Sequence, residues 1–196
     1  YEIRLSLVGS ENVYKRQYIY LFFLIAFVGC SKAIAPVDSA LDQQILHFGN
    51  GSEPQGLDPH IVTGVPEHHL LIAMCEGLTI ANPKGGENLP GVAKSWTISP
   101  DGKTYNFFLH EDAKWSNGDQ LTASDFVWSW MRILTPSLGS QYPDMLYYVK
   151  GAPEYHQGLT DDFSSVGVTA VNDYELKVEL TNATPFFIKL LSHYST

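Results

Sequence analysis

The sequence predicts an α/β domain, and three observations carry that reading. Between Thr104 and Leu109 the side chains alternate, with Tyr105, Phe107 and Leu109 on one face and Thr104, Asn106 and Phe108 on the other, which is the period of a strand. From Ala123 the period changes: Phe126, Val127, Trp130, Met131 and Leu134 recur at helical spacing, and Pro136 stops the run. Turns flank the strand, with Pro100, Asp101 and Gly102 leading in and the Ser116, Asn117, Gly118, Asp119 cluster coming after Trp115. Thr122, followed three residues on by Asp125, predicts an N-cap with an acidic residue in the first turn, so the helix is expected to start at Ala123.

Taken from the beginning, residues 1–17 have no initiating Met and share no periodicity with the apolar run after them. They read either as a leader region made positive by Lys15 and Arg16 or as an adaptor or cloning-derived stretch, and contribute nothing to the fold. Tyr18 to Val28 is an apolar run too short to cross a hydrocarbon core of ~30 Å as a helix, and of the right length for the apolar region of a signal peptide. Phe27, Val28, Gly29 and Cys30 close residues 18–30 as a lipobox, with Phe27 where Leu is usual. In that reading Cys30 is lipidated; in the other it is an ordinary residue near a cleavage site.

Ser31 to Gln44 is a tether and Ile45 to Phe48 the first expected strand. Gly49 to Gly64, rich in Gly, Pro, Asp and Ser, is a loop. A helix is expected from about Pro66 to Glu76, closed by Gly77, then a short strand at Leu78–Ile80 and a turn at Asn82–Gly86. After Thr135, Pro136, Gly139, Pro143, Gly151, Pro153 and Gly158 break the chain into short helical pieces and loops. Val166, Val168 and Ala170 alternate, Asn172 and Asp173 turn the chain, and Leu176, Val178 and Leu180 alternate against Lys177 and Glu179, which predicts a hairpin. Trp96, Trp115 and Trp130 sit at strand or helix positions and read as core. Cys75 ends the apolar pattern Leu70, Leu71, Met74 and reads as a small buried hydrophobe.

Composition narrows the function classes. With 44% hydrophobic and 13% aromatic residues the chain is globular, and a net charge of -9 argues against nucleic acid as a partner. Cys30 and Cys75 are its two cysteines, so no disulfide framework is expected. Seven histidines are scattered without HExxH, and no CxxC occurs, so neither a metal site nor a cofactor is expected. No G-x-S-x-G elbow is present, and Gly85–Gly86 lacks the Lys-Ser/Thr of a phosphate loop. A Ser, His, Asp triad needs only to meet in space, but no spacing supports one. The chain is expected not to be an enzyme.

The ordered run from Gly91 to Leu134 resembles the N-terminal hallmark of the bacterial extracellular solute-binding proteins of the peptide and nickel class, family 5, and within it the periplasmic oligopeptide-binding proteins of ABC importers. The likeness rests on Gly91–Trp96 (GVAKSW), Asp101–Gly102, Tyr105–Leu109, Lys114–Gly118 (KWSNG) and Thr122–Val127. His110 departs, standing where that family usually has Lys or Arg. Upstream, Gly51–Leu71 resembles the family's first turn-rich segment. Downstream, Thr184–Thr196 resembles the next helix and the strand after it. The resemblance thus runs from about Ile45 to the last residue.

The resemblance implies the N-terminal part of a two-lobed, periplasmic-binding-protein-like (type II) fold with an extra, smaller α+β domain, cut before the second lobe. Residues 31–75 would be the tether and the start of the first lobe, and residues 76–196 the smaller domain. It implies a monomeric extracytoplasmic receptor, held to the membrane by lipid at Cys30, that captures oligopeptides and hands them to an ABC permease. A binder of dipeptides, nickel or haem, or a surface lipoprotein in adhesion or signalling, stands as the alternative.

It also implies that Thr63, Gly64, Val65 and Pro66 line the peptide, with Val65 pairing through its backbone. Gly64 would permit close approach and Pro66 would remove a competing donor; from the residues alone, the two equally begin a helix. Thr63 stands where some relatives carry an acidic residue, which puts a preference for basic peptides in doubt. Tyr142 aligns with a tyrosine facing the ligand cleft, where a ring with a hydroxyl offers both packing and a hydrogen bond; by itself it reads as readily as a surface anchor. Glu53, before Pro54, is a further ligand candidate whose plain reading is a solvated carboxylate.

Overall fold

In a computed structural model of the chain, the described residues are Ala35, Asp38, Ala40 and 43–196. They divide into two units, one ending at Gly49 and the other running from Asn50 to Thr196. The apolar run Tyr18–Val28 and Cys30 lie outside the described residues. In the first unit the expected strand Ile45–Phe48 is not formed. A strand exists by pairing its backbone with a neighbour, yet this stretch belongs to neither sheet ladder, and its Leu46 is 87% exposed.

The second unit begins with the expected loop and then helix α1, Val65–Met74. Only Glu67 and Leu71 of α1 are buried, one turn apart on one face. Cys75 would continue that stripe, but there the backbone turns extended (φ -118°, ψ 148°) and the helix ends. Cys75 is therefore exposed, against the expectation of a buried residue. A two-stranded ladder of β1, Thr79–Ile80, and β2, Leu89–Pro90, comes next. Gly85 and Gly86 take positive φ in the turn between them.

The main sheet has four antiparallel strands: β3, Ala93–Ile98, β4, Thr104–Leu109, then, after helix α2, Ala123–Leu134, and helix α3, Ala152–His156, the hairpin β5, Val168–Asn172, and β6, Glu175–Glu179. Their spatial order is β3-β4-β6-β5. The alternation in β4 buries Tyr105, Phe107 and Leu109, and the register sets Tyr105 opposite Val178 and Phe107 opposite Leu176, so two apolar rows share one face. Helix α2 covers β5 and β6. It buries Ala123, Phe126, Trp130, Ile133 and Leu134, leaving Val127 and Met131 only partly covered.

Local chemistry starts α2 where the sequence predicts. The Asp125 carboxylate accepts from the Thr122 backbone N–H at 2.7 Å and from its hydroxyl at 3.1 Å. Ala123 N–H donates to the Asp173 carbonyl at 2.8 Å, tying the helix start to the β5–β6 turn.

Trp130 is fully buried and Trp96 packs against the core, but Trp115 is 50% exposed. Trp115 lies at the tip of a tight turn closed by Gly118 N–H to the Trp115 carbonyl (2.8 Å), and a turn tip has no opposite face to pack on. Short 3₁₀ turns at Pro136–Leu138 and Pro143–Leu146 fill the broken stretch. After helix α4, Phe187–Leu190, the strand expected before Thr196 is absent. The chain instead folds back in turns, with His193 N–H on the Leu190 carbonyl and Thr196 N–H on the His193 carbonyl, both at 3.1 Å.

These placements separate two aromatic substitutions. Phe107→Ala should cost about 3–5 kcal/mol, because it opens a cavity at a fully buried site, whereas Trp115→Ala should stay within about 0.5 kcal/mol. Urea unfolding followed by circular dichroism measures both; equal losses would contradict the assignment of core and tip.

Candidate functional site

The loop before α1 and the first turn of that helix enclose a cleft of about 440 Å³, with Ser52, Glu53, Asp58, Thr63, Gly64 and Glu67 among its lining residues. Asp58 organises the loop. Its carbonyl accepts from the N–H groups of Ile61 and Val62, each at 3.1 Å, and its Oδ1 accepts from His60 N–H at 3.1 Å. The turn expected at Asp58–Pro59 is thus present, but the carboxylate has a second role. Both its oxygens receive the guanidinium of Arg132, near the end of α2, at 2.9 and 2.5 Å.

His60 completes this cluster. Arg132 lies 2.8 Å from its Nδ1, and since a guanidinium only donates, Nδ1 is the acceptor and the proton sits on Nε2. Nε2 then donates to Ser129 Oγ at 3.3 Å. The His60 carbonyl accepts from Ser140 Oγ at 2.7 Å and from Gln141 N–H at 3.3 Å. The ring is 4% exposed. Burial, and next the Arg132 charge, lower its pKa from 6.5 to about 4, so it is neutral at pH 7. Its hydrogen bond from Arg132 holds the Asp58 carboxyl below the usual carboxylate range and raises Arg132 in return.

Beyond this turn the chain runs extended into α1, with Gly64 at φ -77°, ψ 155°. The N–H groups of Thr63, Gly64 and Val65, and the Thr63 carbonyl, have no hydrogen-bond partner among the described residues. Val65 is the first helical residue, 65% exposed, and Pro66 comes directly after it. Gly64 leaves room for a neighbouring side chain: a Cβ there would stand 1.9 Å from Oε2 of Glu67, so this carboxylate, whose Oε1 accepts from Gln55 N–H at 2.6 Å, would have to shift. Thr63 and Glu53 are exposed on the same cleft.

Tyr142 reaches this segment through the turns after α4. Its ring packs edge-on against His193 (centroids 5.1 Å apart) and Tyr194 (6.2 Å), and the Tyr194 hydroxyl donates to the Val62 carbonyl at 2.7 Å. His68 of α1 packs on Tyr194 from another side, at 5.4 Å. Burial, and next the neighbouring Tyr142, push the Tyr194 phenol up to about 12, which keeps it a donor. The structure therefore brings Thr63, Gly64, Val65, Tyr142 and Glu53 to one region. Arg132, His60, His193 and Tyr194 also belong there. The signal that points to Arg132 is its place, with Ser129, as a polar pair among the apolar residues after the first turn of the helix; nothing local marks His193 or Tyr194.

Among the described residues no group of three or more His, Cys, Asp or Glu is placed to hold a metal ion, and no helix is long and apolar enough to cross a membrane.

The family model for bacterial extracellular solute-binding proteins, family 5 (middle) matches residues 88–196. The chain is 39% identical over 191 residues to the periplasmic oligopeptide-binding protein OppA of Escherichia coli, covering 94% of this chain and 35% of that protein. It is 42% identical over 150 residues to the oligopeptide-binding protein OppA of Bacillus subtilis, covering 76% and 27%. Among solved structures, Haemophilus influenzae OppA in complex with the peptide RPPGFSPFR matches with a TM-score of 0.70 at 40% identity, covering 74% of this chain and 28% of that one. The chain spans about a third of the length of the E. coli relative.

The titration of His60 makes stability depend on pH. Its folded pKa of about 4 lies below the ordinary 6.5, so between these values the unfolded chain binds more protons. The contribution is complete above pH 6.5 and is lost as pH falls towards 4. His193, also lowered, chiefly by burial, acts with the same sign. Urea unfolding at pH 7 and 4.5 should show this fall, and His60→Gln should make it shallower; an unchanged slope in that variant would remove His60 as its source.

Proposed function

Because the chain belongs to the bacterial extracellular solute-binding proteins, family 5, we propose that it forms part of a receptor that captures oligopeptides outside the cytoplasm and delivers them to an ATP-driven importer. The observation that carries this reading is the run of N–H groups at Thr63, Gly64 and Val65 without a partner among the described residues, joined through Tyr194 to the Tyr142 ring. A receptor that accepts many sequences must take its hold from what all peptides share. The backbone that runs from Thr63 through the extended Gly64 to the first helical residue, Val65, offers that hold, much as one strand adds to another, while side chains project into hydrated space.

In this reading Val65 pairs with the peptide main chain and Tyr142 packs on it and offers its hydroxyl. Gly64 lets the ligand come close. Glu53 and Thr63 border the side-chain space, and Thr63, being neutral, gives no preference for a basic side chain. The relatives named for oligopeptides, and the nonapeptide bound by the Haemophilus protein, support oligopeptides over nickel or haem as the ligand class. Cys30 carries the lipid that keeps the receptor at the membrane, on the extracytoplasmic or periplasmic side, and the receptor acts as a monomer.

Titrating the full-length protein with a pool of random tri- to pentapeptides should release heat, and mass spectrometry of the purified protein should find retained peptide. Neither heat nor retained peptide would sink the proposal. For the anchor, cells fed a labelled fatty acid should label the wild-type protein but not a Cys30→Ser variant; equal labelling, or none in the wild type, would overturn it.

A further inference from the structure

We propose that Arg132, which makes no hydrogen bond to the Thr63–Val65 segment or to Tyr142, is a positioning residue that holds both parts of the peptide site at their working separation. The inference rests on the peptide-binding reading. The two parts arise far apart in sequence, one before α1 and the other after α2, and no hydrogen bond joins Thr63, Gly64 or Val65 to Tyr142. They are linked through Tyr194, on which Tyr142 packs and whose hydroxyl bonds the Val62 carbonyl, and, by bonds to both loops at once, through the cluster at the end of α2. Arg132 grips Asp58, and the Asp58 carbonyl fixes Ile61 and Val62, immediately before Thr63. Arg132 also donates to His60, whose carbonyl takes Ser140 Oγ and Gln141 N–H, immediately before Tyr142. One guanidinium thus serves two loops, each a residue short of its ligand-facing position.

Arginine suits this role. Its planar fork gives two parallel bonds to one carboxylate, and the nitrogen facing Asp58 Oδ1 also reaches the His60 ring. The pair is partly covered, with side-chain exposures of 28% and 34%, and sits beside the buried His60 ring. A lysine would keep the charge but, with one nitrogen, could not hold both carboxylate oxygens and the imidazole in the same geometry. The loops would then spend part of their time apart, and a ligand needing both together would find fewer competent molecules. When the competent fraction falls, the apparent Kd rises by the same factor.

Because the loss precedes binding, it should appear in the association rate. In the full-length protein, with the tripeptide Ala-Phe-Ala as probe, Arg132→Ala should lower kon about 10-fold and leave koff nearly unchanged, while Arg132→Lys should lower kon about 3-fold. A residue touching the ligand gives the opposite split, so Tyr142→Phe, the control, should act chiefly on koff. Amide exchange of the unliganded protein gives a second readout: Ile61, Val62 and Gln141 should exchange faster in both Arg132 variants, with the sheet amides unchanged. If Arg132→Ala fails to fold, Arg132→Lys decides. Wild-type rates in a folded variant, or a loss carried by koff, would overturn the positioning role. Absence of peptide binding by the wild type would instead overturn the function on which it rests, and unaltered exchange at Ile61, Val62 and Gln141 would then remove Arg132 as the anchor.

Discussion

Helix α2 is seated on the sheet at its first residue, where Ala123 N–H meets the Asp173 carbonyl, and along its length by Phe126, Trp130, Ile133 and Leu134. The rest of the second unit takes its arrangement from that seating. Burial of Trp130 and Ile133 fixes the rotation of the helix about its axis, and Ser129 and Arg132 are then carried to a side where the loop before α1 can meet them. A stripe of core residues thereby sets the place of a charged group, and the charged group sets the place of two loops. Packing of apolar side chains supplies the rigidity, and a few charge-assisted bonds convey it to the surface.

Much of this could be read from residues close together in the chain. The strand Thr104–Leu109 and the helix Ala123–Leu134 have the bounds their side-chain periods predict, because alternation and capping are decided by neighbours a few positions away. The hairpin of β5 and β6, with its Asn172–Asp173 turn, is legible for the same reason. Trp115 shows the limit of residue type: a large ring reads as core, but its exposure comes from standing at a turn tip. Cys75 shows the limit of periodicity, since its stripe runs on in the sequence after the helix has stopped.

The positions to which the resemblance points fall in one region of the fold, but how that region is built was not legible. Asp58 reads locally as a turn residue, and it is one, but its carboxylate answers an arginine 74 positions later. His60 is one of seven histidines and nothing beside it in sequence announces a buried, neutral ring. Gly64 illustrates a different point. Its lack of a side chain fits close approach by a ligand, yet the Glu67 carboxylate already occupies the space a Cβ would need. The same glycine thus has a reason in the packing of its own chain, apart from any ligand.

The bond from Tyr194 to the Val62 carbonyl spans 132 positions. At a synthesis rate of about 5–20 residues per second, the acceptor leaves the ribosome roughly ten seconds before its donor exists. The Asp58 partner on α2 comes sooner, 74 positions on. The donor to the Asp58 carboxylate is therefore made first and the donor to the Val62 carbonyl only later. The Val62 carbonyl, next to Thr63, is thus the last acceptor of the loop whose donor is made.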